Sequence, residues 1–164
     1  MSASLYNNID IDVFSLSAIN ERIRNSIRTP RRLRVRIADI VYDLAKLKRL
    51  IDQRIIAGRR LNLDENTLTF LKKVHMMLSR ITDLLLSSHN LGKLGFNLSL
   101  VQELLDKLVS DIRERDVILV GEFEILQEKI RDLVREAEDY IKPPSKKIVS
   151  RYASYMYEEL LSTL

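Results

Sequence analysis

Apolar residues recur along most of this chain in alternating steps of three and four. The series Leu33, Ile37, Ile40, Leu44, Leu47, Ile51 is spaced 4, 3, 4, 3, 4. An α-helix turns once per about 3.6 residues, so this series lines one helical face over about three heptads. Thr29 is a suitable N-cap and Pro30 a suitable first helical residue, and Gly58 is a natural stop. Upstream, Val13, Leu16, Ile19 and Ile23 predict a shorter helix that starts at Asp10 or Asp12 and ends before Pro30, with residues 1–8 frayed.

Asn62 with Glu65 three residues on forms a capping box. It precedes a wide stripe of Phe70, Leu71, Val74, Met77, Leu78, Ile81, Leu84 and Leu85. The run "SSHNLGKLGFNLS", with Gly92 and Gly95, reads as a loop. Ser99 with Gln102 is a second capping box. Leu105, Leu108, Ile112, Leu119, Phe123, Leu126, Ile130, Leu133 and Ala137 then keep near-heptad spacing, with Arg115 the one polar residue in the seam. This predicts one long helix, or two broken near Gly121. The β-branched "VILV" leaves a strand pair open over residues 116–126. "KPPSKK" ends the series, and Ser145 caps a last helix with Ile148, Tyr152, Tyr155, Met156 and Leu160 inward.

The fold expected is all-α: four or five helices in a largely antiparallel, elongated bundle with heptad-like seams. Residues 1–142 form the bundle and residues 143–164 a C-terminal helix after the Pro-Pro hinge. Composition agrees. Four glycines and three prolines in 164 residues leave few helix breakers. The length is enough for a core without staples. No Cys is present, which removes disulfides, thiolate nucleophiles and cysteine-bound metals. No apolar run approaches the ~20 residues of a membrane span. The N-terminus "MSASLYNNIDID" does not look like a secretory signal. An intracellular, cytoplasmic protein is expected. Scarce Gln beside abundant Arg, Glu and Ile is a thermophile-like balance.

Charge is uneven. Residues 21–60 hold 13 Lys/Arg against 4 Asp/Glu, and the remainder holds 14 against 19. Either an anionic partner binds the basic part, or a basic helix lies on an acidic one, within the chain or between chains. The stretch "RTPRRLRVRI" concentrates the question. Its arginines crowd a helix N-terminus, where the helix dipole opposes cations. Arg24, Arg28, Arg31, Arg32, Arg34 and Arg36 are therefore the candidate contacts to nucleic acid or an acidic partner. Arg34 and Arg36 diverge by about 200° around the helix. No Trp is present, and no Tyr or Phe lies between Phe14 and Tyr42, so base stacking by this stretch is not expected. Tyr152, Tyr155 and Tyr157 are the candidate protein interface, since aromatic residues favour such surfaces.

Catalytic chemistry finds little support. His75 and His89 lack a carboxylate or histidine at metal-ligand spacing. "NLGKLGF" fits neither phosphate-binding glycine pattern. The acids from Asp106 to Asp139 interleave with Lys and Arg, as on a solvated helical face. No catalytic residue, metal, cofactor or small-molecule substrate is expected.

The segments "IDIDVFSLSAINERI", "IADIVYDLAKLKRLIDQRIIAG" and "LNLDENTLTFLKKVHMMLSRI" resemble, in order and spacing, the helical domain of a GINS subunit. That family is the helical scaffold of the replicative helicase. The resemblance covers about residues 9–88. It implies a non-enzymatic scaffold that assembles with partner subunits and contacts helicase, nuclease or primase proteins, nucleoid- or nucleus-associated. It also implies a small β domain after the helices, where residues 99–164 read as further helix. The function expected is a scaffold or interaction subunit, a homo- or hetero-oligomer. The alternative is a basic helical protein that binds nucleic acid, DNA among the candidates, through the arginine stripe of residues 22–36.

Overall fold

The computed structural model describes residues 29–88, 90–116, 118 and 120–162. Five helices account for most of them: α1 (Arg31–Arg60), α2 (Glu65–Leu86), α3 (Leu91–Arg115), α4 (Gly121–Ala137) and α5 (Lys146–Ser162). No strand occurs among the described residues. The helix expected upstream of Pro30 lies outside them.

The predicted seam of α1 is buried throughout, and Ile55 and Gly58 extend it. Two boundary details differ from expectation. Pro30 keeps an extended ψ of 143° and stands in the N-cap place, with no side-chain cap; Thr29 is buried instead. Gly58 does not stop the helix, which runs on to Arg60. A Cβ there would stand 2.8 Å from Leu63 Cδ1 and 3.0 Å from Leu68 Cδ2. The glycine therefore serves the close turn into α2.

The cap of α2 is Asp64, not Asn62. The Thr67 backbone N–H donates to Asp64 Oδ1 at 2.7 Å, and that bond holds the Asp64 carboxyl below its ordinary pKa. Asn62 occupies the left-handed region at φ 55°.

The expected loop around "NLGKLGFNLS" is helical. Asn90 accepts from the Lys93 backbone N–H at 3.0 Å and caps α3. Ser99 lies inside that helix and caps nothing. Gly95 is buried under Ile141, whose Cγ2 would meet a Cβ at 2.8 Å. A glycine in the helix lets the segment after α4 cross closely. α3 ends at Asp116, a left-handed C-cap at φ 53°. The long apolar series is thus two helices broken before Gly121, and residues 121–126 form the start of α4, not a strand.

Each of the first four helices packs on its sequence neighbour, and α4 returns to α1. The short connections make successive helices antiparallel. Cross-helix pairs confirm the direction: Arg36 meets Glu136 while Asp43, further along α1, meets Lys129. α5 lies over α3 and touches α2. Its pairs Ser150–Glu103 and Tyr157–Asp111 show that it runs parallel to α3. α3 is consequently the central helix, with Leu94, Leu98, Val101, Leu104, Leu105, Leu108, Val109 and Ile112 all buried.

The face α5 buries is Val149, Ala153 and Tyr157. Ile148, Tyr152 and Tyr155, expected inward, are exposed. Both sets have helical spacing. The small Ala153 lets α5 approach α3, and that closeness rather than hydrophobicity decides which face turns in.

Candidate functional site

The side of α1 that faces α4 is an ion network. Arg36 Nη1 donates to Glu136 Oε2 at 2.5 Å. Arg32 Nε stands 2.6 Å from Oε1, a contact off the N–H axis and so ionic in character. Lys129 reaches Asp43 at 2.6 Å and Asp39 at 3.3 Å. The hydrogen bond that Lys129 donates to Asp43, more than the one it donates to Asp39, raises the Lys129 pKa. On the α2 side, Asp52 lies 3.3 Å from His75 Nε2.

This network divides the expected arginine stripe. Arg24 and Arg28 lie outside the described residues. Arg32 and Arg36 pair with Glu136, a residue of the acidic region of the sequence. Arg31 and Arg34 are exposed and make no ion pair among the described residues. The six arginines therefore do not share one free surface. The basic helix lies on an acidic one within the chain, at least for these two.

The tyrosine cluster divides as well. Tyr152 and Tyr155 are exposed, and the Tyr152 ring meets Phe96 edge-on at 5.7 Å. Tyr157 is buried and its hydroxyl donates to Asp111. It serves the α5–α3 contact, which corrects its placement at an external interface. Burial first, then Asp111, raises its pKa far above the ordinary value near 10. A raised folded-state pKa stabilises the fold below the unfolded value and loses that contribution as pH rises beyond it. Stability should fall above about pH 10 as the unfolded state ionises. Tyr157→Phe should flatten that decline, as read by urea denaturation across this pH range. An unchanged decline in the variant would show that Tyr157 is not enclosed.

The feature the sequence reading overlooked is the outer face of α1. Val35, Ala38, Tyr42 and Ala45 are all exposed, Val35 at 59% and Tyr42 at 63%. Their spacing is 3, 4, 3, and Arg49, Asp52 and Ile56 continue the line. α1 thus carries two apolar seams, one inward and one outward. The signal was present, since the outward series interleaves with the inward one. Lys46 Nζ stands over the Tyr42 ring at 5.0 Å, a cation–π contact that holds the ring in place.

Beside this face an open apolar trough of about 440 Å³ runs between α1 and α4, lined by Leu47, Leu50, Ala57, Ile118 and Phe123 among others. It exists because α1 has 30 residues and α4 only 17, so α4 cannot cover the C-terminal part of α1.

Among the described residues no three His, Asp or Glu side chains converge as metal ligands. Nor is any described helix long and apolar enough to cross a membrane. The arrangement offers apolar and charged surface on α1. No protein-family model, characterised protein or solved structure matches this chain.

Proposed function

We propose that this chain is a non-enzymatic helical interaction subunit, and that the outer face of α1 receives a helix of another protein. The observation that carries this reading is the exposed seam Val35–Ala38–Tyr42–Ala45. Scattered exposed apolar residues are ordinary on a soluble protein. A series in heptad register is not scattered. It is the pattern by which one helix packs on another. The two alanines leave room for a close backbone approach. The resemblance of residues 9–88 to a GINS helical domain supports an assembly role in DNA replication.

The alternative, duplex DNA binding by the arginine stripe, loses two of its contacts to Glu136. Phosphate binding would give an affinity that falls steeply with salt, with a log–log slope of about −0.9 per phosphate neutralised. It would be indifferent to Tyr42.

The test is a paired variant, Val35→Glu with Tyr42→Glu. Both side chains are exposed, so circular dichroism and melting should match the parent. Light scattering should show the parent in an assembly with its partner, weakened at least about tenfold in the variant, or roughly 1.4 kcal/mol. A parent that stays monomeric in extracts of its source cell sinks the reading. So does an assembly that ignores the substitutions.

A further inference from the structure

The charges around the outer seam specify what kind of helix it fits. α1 contains three acids, and the structure uses each of them sideways. Asp39 and Asp43 face Lys129 of α4, and Asp52 faces His75 of α2. Arg31, Arg49 and Arg60 are exposed. At about 100° per residue they lie within about 40° of the Val35–Tyr42 line. None makes an ion pair with a described residue. The surface around the seam is therefore apolar in the middle and positive at its ends, with three arginines against one acid in the same register, Asp52, which faces His75.

We infer that the partner of this face is an acidic amphipathic helix, with an apolar seam flanked by carboxylates that meet Arg31, Arg49 and Arg60. The inference rests on the reading that α1's outer face receives a helix, and adds the chemistry of that helix. Arg31 to Arg49 spans about 27 Å at 1.5 Å per residue, so the partner needs about five turns to engage both. The first turn of α1 has no acid. A partner carboxylate beside Arg31 would also meet the positive end of the α1 dipole, which opposes arginine in the free protein. A second copy of this chain fits poorly: in parallel it sets arginine against arginine, and antiparallel it pairs Arg31 with Asp52 but leaves Arg49 facing Val35 without a carboxylate. Nucleic acid fits the arginines but leaves Val35, Ala38, Tyr42 and Ala45 without a use. An anionic membrane would be served by large apolar residues at the positions where this face has Ala38 and Ala45.

Two synthetic peptides of about four heptads test this, with the same Leu seam and either Glu or Lys at every flanking position. Binding to the full-length protein is read by fluorescence anisotropy at low and at high salt. The Glu peptide should bind at least tenfold more tightly than the Lys peptide, and less so as salt rises. Arg31→Glu with Arg49→Glu should reverse the preference, while Tyr42→Glu should weaken both peptides. Equal binding of the two peptides, binding of neither, or a preference that survives the charge reversal overturns the acidic assignment. If assembly in the source cell still depends on Tyr42, only that assignment falls; if it does not, the docking reading falls with it. Tighter binding of a duplex oligonucleotide or of anionic phosphatidylserine vesicles, lost on charge reversal but unaffected by Tyr42→Glu, also overturns the inference.

Discussion

Leu104→Ala should destabilise the protein by roughly 3–5 kcal/mol, the upper part of the range for leucine truncation in a packed core. Leu104 is fully buried. It lies on α3, the helix that contacts α2, α4 and α5 together. Elements gripped from three sides cannot collapse into a vacated volume, so the cavity term adds to the lost burial. Val149→Ala, on α5 at the edge of the same core, should cost about 1–2 kcal/mol, because it removes two methyl groups from a helix free to shift. Urea denaturation checks both: the midpoint should fall with the slope unchanged. A loss below about 1 kcal/mol for Leu104→Ala would mean that α3 is not the centre of the bundle.

The same core shows what periodicity reveals and what it conceals. The inner seam of α1 was legible because Leu33 to Ile51 follow a strict register with large aliphatic side chains. The start of α3 was equally periodic: Leu94, Leu98, Val101, Leu105, Leu108 and Ile112 are spaced 4, 3, 4, 3, 4. Two glycines and the flanking Asn and Ser residues read as a loop instead. Glycine costs a helix only about 1 kcal/mol, and at Gly95 the close crossing by Ile141 requires it. Local propensity lost to a tertiary contact that the linear sequence does not display.

The α5 error has a different cause. Ile148, Tyr152 and Tyr155 are larger than Val149 and Ala153, so a stripe drawn through the bulky side chains points the wrong way. The core admitted the smaller set because α5 lies tightly on α3. The outward seam of α1 is masked in the sequence by its inward one, because Val35, Ala38, Tyr42 and Ala45 are smaller or more polar than the aliphatic series they interleave with. Neither surface is decided by composition alone. Which face is inward depends on helix separation, and separation follows from the whole packing.

The arginines of "RTPRRLRVRI" give the sharpest contrast between sequence and structure, because their partner is about a hundred residues away, on α4. Glu136 has only 12% of its side chain exposed, against 74% for Arg32 and 39% for Arg36. The three charges are therefore unequally desolvated, and removing them should have unequal costs. Arg32→Gln with Arg36→Gln strands a largely buried carboxylate, and stability should fall by about 2–4 kcal/mol. Glu136→Gln strands two cations that already touch water, and should cost only about 1 kcal/mol. Adding Glu136→Gln to the double arginine variant should then recover part of the loss, since the buried charge is gone. Arg31→Gln with Arg34→Gln should be neutral or slightly stabilising, by a few tenths of a kcal/mol each, because these residues oppose the helix dipole. Chemical denaturation of the set, read as a double-mutant cycle, isolates the coupling. If the Arg32 and Arg36 pair costs no more than the Arg31 and Arg34 pair, Glu136 does not hold them. The stripe would then face outward as a whole, and the case for nucleic-acid binding would regain the two contacts that the α1–α4 network takes from it.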